Sequence, residues 1–150
     1  MDSAAILRWL HIIGAVLLIG NVVVTGFWAT FLYRQRPTFA FRPVARAIMV
    51  ADLIFTLGGG ALLTISGILL IRERGYPVLG TPWLIRGIGA LAASTLLWVV
   101  FLLPDQYRLE RVDAANQRAL RRLFLRWSVV GWAATLVLFY GLWCMVTKHP

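Results

Sequence analysis

Four long apolar runs leave this chain few folds to choose from. At roughly 5–33, 45–71, 82–103 and 123–147 the sequence is dominated by Leu, Ile, Val, Ala, Gly and aromatic residues. About 20 such residues cross the hydrocarbon core of a bilayer. Inside lipid each backbone amide must be bonded within its own segment, so runs of this kind fold as helices. The sequence therefore predicts an all-α protein, a four-transmembrane-helix bundle, with residues 1–150 as a single integral membrane domain. The first two runs exceed the minimum and must tilt or project beyond the bilayer. Pro37 and Pro43 bracket the first loop, Pro77 and Pro82 the second, and Pro104 closes the third span. The first run is too long for a signal-peptide core, and bulky "GFWATFLY" stands where small cleavage-site residues belong. It reads as a retained span.

The formal charge is +9, which in a soluble chain suggests nucleic acid. Here the arginines gather in short loops between apolar runs, which is a topology signal, and no aromatic-interleaved basic patch points to RNA or DNA. Arg34, Arg36, Arg42 and Arg46 flank the first loop, and Arg108, Arg111, Arg118, Arg121, Arg122 and Arg126 the third. Arg8, Arg72, Arg74, Arg86 and Lys148 lie on the other side. Ten against five places both termini on the non-cytoplasmic side. Tryptophan depth fits, with Trp9, Trp83 and Trp143 near the outer face and Trp28, Trp98 and Trp127 near the inner one. The segment "DQYRLERVDAANQRALRRLFLRW" lacks Gly and Pro and reads as a solvated inward extension of the last span.

Small residues mark where helices approach closely in lipid. Candidates are Gly60, Thr64 and Gly67 in the second span, Gly89 and Ala93 in the third, and Gly131, Ala134 and Gly141 in the fourth. The same glycines would also leave room for a flat cofactor.

Polar groups inside a membrane call for a partner or a function. Four stand out: His11, Asn21, Asp52 and Arg86. His11 is followed by Gly14 and Ala15, so the helix surface beside its ring is nearly bare. Two readings stay open. One is a haem ligand, since haem iron in bundles is commonly held by histidine. The other is a neutral histidine bonded to Thr64, Ser66 or a backbone carbonyl. Met145 would make a stretched second ligand, which leaves a five-coordinate haem or one shared across a dimer. Two histidines exclude a multi-histidine copper or zinc site, and one cysteine, Cys144, excludes a disulfide within the chain. Arg86 either binds a haem propionate or snorkels to outer headgroups. Asp52 either sits in a structural contact with Arg46, Arg126 or Thr25, or serves as a proton relay or quinone contact. Asn21 reads as interhelical glue. No lysine lies inside a span, so a retinal Schiff base is excluded, and no phosphate loop or nucleophile–base pair appears. Whether the protein is an enzyme stays open.

In order, "LRWLHIIGAVLLIGN", "ADLIFTLGGGALLTISG" and "LLWVVFLLPDQYRL" resemble a family of small bacterial integral membrane proteins of unassigned function. That family is distantly similar to HemJ-type protoporphyrinogen oxidases and CopD-type membrane domains. The resemblance implies a bacterial inner membrane location and haem b, with His11 at the position of a functional first-span histidine. Where the HemJ-type proteins carry a third-span lysine, this chain has Arg86, in "PWLIRGIGAL". Arginine stays charged and neither passes a proton nor ligates iron readily, which argues against porphyrinogen oxidation. The expectation is a haem b protein held through His11, with Arg86 at a propionate and a redox role towards a quinone or another membrane partner. The alternative is a cofactor-free structural or assembly subunit, packed against a larger complex or as a homo-oligomer; a transporter using Asp52 is a third option.

Overall fold

A computed structural model describes residues 2–35, 42–112 and 116–148, so Arg36, Pro37 and His149 lie outside the described residues. Among the described residues there are helices and no strands. Four helices are long and apolar enough to span a membrane: Ser3–Arg34, Arg42–Arg74, Pro82–Arg111 and Gln117–Thr147. They run alternately up and down, so the two chain ends meet at one end of the bundle. There Lys148 lies over the Trp83 ring, and Ser3 bonds Glu73.

The helix ends follow local chemistry. The Asp2 side chain accepts from the Ala4 amide, and the Asn116 side chain from Ala119, each satisfying an amide with no partner inside its own helix. Gly75 closes the second helix at φ 64°, the left-handed conformation that glycine adopts without strain. The Tyr76 amide reaches back to the Ile71 carbonyl at 3.2 Å and completes that cap.

The third span does not stop at Pro104 as expected. The helix continues to Arg111, because a wider π-helical turn, Trp98–Leu102, precedes the proline. The Leu103 amide donates five residues back to the Trp98 carbonyl, and the looser turn accommodates the pyrrolidine ring and its missing N–H. A second π-helical turn, Asp52–Leu57, interrupts the second helix. The fourth helix begins at Gln117 rather than 123, as the helix-forming arginine segment suggested. The chain breaks at Val112, where ψ turns to 136°.

The helices associate as two pairs. In the first–second pair, a Cβ placed on Gly14 would lie 2.5 Å from the Leu63 amide nitrogen, and one on Gly59 2.8 Å from that of Leu18. In the third–fourth pair, Gly87 lies against Met145, and a Cβ on Gly141 would meet that of Ala90 at 2.9 Å. Glycine here lets backbones touch, which is how dispersion holds helices together in lipid. Of the small residues expected at these faces, Gly67 and Gly141 make contacts, but Gly60 and Gly89 meet nothing within 4 Å. Gly59 and Gly87 make contacts in their place. One or two residues along a helix turn the side chain by about 100° or 200°, onto a different face.

At the arginine-rich end an apolar plug joins the pairs. Ala29, Tyr33, Ala45, Ile48, Leu109 and Phe124 are buried together, with the Tyr33 and Phe124 rings stacked at 3.7 Å. The second and third helices pack closely only there, Arg42–Ala51 against Leu103–Arg111. Above the plug they diverge.

Candidate functional site

The divergence leaves a cavity of about 370 Å³ between the two pairs, with walls from all four helices. Most of the wall is apolar, from Leu18 and Val22 on the first helix to Leu138 on the fourth. Along the second helix, Leu57, Ala61, Thr64 and Ile65 line the cavity yet remain exposed, as does Thr95 on the third. Exposure of these residues opens the cavity sideways between the second and third helices, and that of Trp132, beside Gly26, between the fourth and first.

The polar groups concentrate at the plug end. Asp52, 6% exposed, opens the π-helical turn of the second helix. One of its oxygens, Oδ1, accepts from Asn21 Nδ2 at 2.7 Å and from Thr56 Oγ at 3.3 Å. Asn21 spends its second amide hydrogen on Thr56 Oγ at 2.9 Å. The other carboxyl oxygen, Oδ2, accepts from Gln106 Nε2. Asp52 is thus held by neutral donors from the first, second and third helices. Two of the expected partners are otherwise engaged: Arg126 pairs with Asp105, its Nε 2.7 Å from Oδ2, and the Thr25 hydroxyl bonds the Asn21 carbonyl at 2.7 Å. Asp105 and Gln106 are neighbours on one helix, so the chain turns one buried carboxylate to an arginine and the next side chain to Asp52. Neither was expected at the site, because a helix ending at Pro104 would have left both in solvent. Leu102, Gln106 and Leu109, spaced at i, i+4 and i+7, were the available signal that an inward face continues.

Four residues that line the cavity also carry buried polar atoms without partners: Trp98 Nε1, Trp127 Nε1, Ser128 Oγ and Gln106 Oε1. Trp127 is only 8% exposed, inside the bundle, while Trp98 is half-buried. The π-helical turn begins at Trp98, and Trp127 packs beside Phe124 in the plug.

His11 stands elsewhere. It lies in the first–second pair, half-buried over Gly67, and its Nδ1 donates to the Leu63 carbonyl at 2.9 Å. A backbone carbonyl on Nδ1 leaves Nε2 its lone pair, the arrangement of a ligating histidine. Room for a porphyrin within the bundle is a different matter. The bare surface at Gly14 is filled by the second helix, and that at Gly67 by the imidazole itself. A haem plane does not fit between these helices at His11. Met145 is directed to Gly87, in the other helix pair. Arg86 also belongs to that pair, with an exposed side chain within electrostatic reach of Tyr140 on the fourth helix. Of the four polar candidates the structure joins Asn21 and Asp52, while neither His11 nor Arg86 lines the cavity.

The family described as "Predicted integral membrane protein (DUF2269)" matches residues 5–149. No curated protein and no solved structure matches the chain.

Proposed function

The chain belongs to the DUF2269 family of predicted integral membrane proteins, and from that premise we propose that it is an intramembrane binding protein for a small lipid-soluble molecule. The observation that carries this reading is the cavity itself. Its volume of about 370 Å³ lies within the ~300–1,000 Å³ of small-molecule sites, which are mostly apolar with a few placed polar groups. It opens sideways between the second and third helices, so a ligand enters from the bilayer rather than from water. The apolar body lies along Val22, Leu91 and Leu138, and the head meets the Asp52–Gln106 end. Quinones belong to this class of molecule, and a quinone partner is consistent with the reading.

The test is titration of the full chain in lipid nanodiscs with decylbenzoquinone, read by quenching of tryptophan emission. Gly60 lines the cavity and a Cβ there meets nothing within 4 Å, so Gly60→Leu fills the space without disturbing a helix contact. Saturable binding that weakens at least about tenfold in Gly60→Leu, with an unchanged melting temperature, is the expected result. Identical quenching in both proteins would sink the proposal.

A second reading rests on His11 Nε2. Haem b held by it would lie against the outside of the first–second pair or between two copies. A Soret band in the purified protein that disappears in His11→Ala would establish it; a colourless protein made with ample haem would remove it.

A further inference from the structure

The cavity wall carries charge of one sign. Asp52 is the one acidic side chain among the described residues that line it, and no arginine, lysine or histidine stands with it in the wall. Its partners, Asn21, Thr56 and Gln106, are neutral, so they bond the carboxylate without cancelling its charge. The other buried carboxylate, Asp105, differs in this respect, because Arg126 and Arg108 meet it. In apolar surroundings an uncancelled charge acts well beyond contact distance. Low-dielectric walls of one sign concentrate its field inside a cleft. Asp52 can thus select the charge of a ligand without touching it.

The rest of the wall acts in the same sense. Thr64 and Thr95, both exposed at the gap between the second and third helices, donate their hydroxyl hydrogens to the Gly60 and Leu91 carbonyls. Thr25, which lines the cavity from the first helix, donates its own to the Asn21 carbonyl. A hydroxyl has one hydrogen and two lone pairs, so these three residues have only lone pairs left to offer. Trp98, Trp127 and Trp132 line the same space, and indole draws a cation to its ring face more strongly than any other aromatic side chain.

Resting on the binding reading above, we infer that the ligand is a lipophilic organic cation, of the alkylammonium class, with Asp52 as its counter-charge. The apolar part of the wall takes the hydrocarbon body. An anion would face the Asp52 carboxylate with no cation in the wall to offset it. A quinone adds carbonyl acceptors to a wall already supplied with them and leaves the charge of Asp52 uncancelled.

Three probes of matched tail length separate these cases: decyltrimethylammonium, decylbenzoquinone and decanesulfonate. Each is titrated into zwitterionic nanodiscs holding the full chain and read by calorimetry against empty nanodiscs. The ammonium is expected to bind at least about tenfold more tightly than either of the others. Asp52→Asn keeps the shape and removes the charge, and is expected to abolish that preference while the quinone binds as before. The order of the three probes on the wild-type protein decides the matter even where Asp52→Asn unfolds. Tighter binding of the quinone or the sulfonate, equal binding of all three, or an ammonium preference that survives in Asp52→Asn overturns the cation inference and leaves the cavity reading intact. No saturable binding of any probe, with Gly60→Leu indistinguishable from wild type, overturns both.

Discussion

The two ends of this bundle hold helices together by opposite means. At the end where the termini meet, glycine removes side chains, so the first helix touches the second at Gly14 and Gly59, and the third touches the fourth at Gly87 and Gly141. At the arginine-rich end large side chains fill the space instead, with Tyr33 stacked on Phe124 and Trp127 beside it. The first device fixes partners in pairs and the second ties the pairs into one bundle. Above the plug the glycine crossings hold each pair together but nothing among the described residues ties the second helix to the third, and that is where the cavity lies, level with the Gly59–Leu18 contact. A binding site in a small membrane protein can thus arise from a change of packing rule along the helices. The two π-helical turns, Asp52–Leu57 and Trp98–Leu102, fall at this change, in keeping with the frequent occurrence of such turns at functional sites.

The comparison breaks most severely at Gly14. A methyl there would sit 2.5 Å from the Leu63 nitrogen, and backbone cannot step aside as a side chain can. Gly14→Ala is expected to destabilise the protein by about 3 kcal/mol, at the upper end of overpacking costs. Gly20 is six residues further along the same helix and meets nothing within 4 Å, so Gly20→Ala should leave stability unchanged or raise it by up to about 1 kcal/mol. Melting of both variants by circular dichroism in one detergent provides the check. Equal melting temperatures would mean that the glycine crossing does not define the pair.

At the plug end the corresponding test is polar. Asp52 ties the first, second and third helices through Asn21, Thr56 and Gln106. Asp52→Ala strands the Asn21 and Gln106 amides, and stranding buried donors costs about 2 kcal/mol. Asp52→Asn keeps the shape and one acceptor oxygen and is expected to lose about half as much. Chemical unfolding of the two variants in one detergent ranks them; an Asn variant as unstable as the Ala variant would show that charge, rather than hydrogen-bonding capacity, holds the joint.

The gross architecture was legible because lipid imposes one simple requirement, and the apolar runs at 5–33 and 45–71 meet it without reference to their neighbours. What could not be read was the rotation of each helix. "LGGGALL" offers three consecutive glycines, and composition cannot say that Gly59 touches the first helix while Gly60 lines a cavity. Pro104 misled for a related reason. Proline ends an α-helix in most contexts, but the π-helical turn before it lets the helix pass, bringing Asp105 and Gln106 inside. Asp52 was legible as a polar group needing a partner. Its principal third-helix partner was not, because Gln106 lay beyond the expected end of that span.

The smallest effect tests whether the third–fourth pair depends on its glycines alone. Ser94 is buried beside that crossing, and its hydroxyl donates across the pair to the Ala134 carbonyl at 3.2 Å. Hydrogen bonds between membrane helices average about 0.6 kcal/mol, because in the separated state the same hydroxyl finds its own helix carbonyl. Nor does the Ala134 carbonyl depend on Ser94, since a helical carbonyl already has an amide to bond. Ser94→Ala is therefore expected to cost about 0.6 kcal/mol, and combined with Gly141→Ala the total loss should fall short of the sum of the two single losses. A methyl on Gly141 would press on Ala90, one turn from Ser94, and push the helices apart where the hydroxyl must reach. Strict additivity in the double-mutant cycle would show that the glycine crossing and the serine bond act independently, and the third–fourth pair would then be a looser assembly than the first–second.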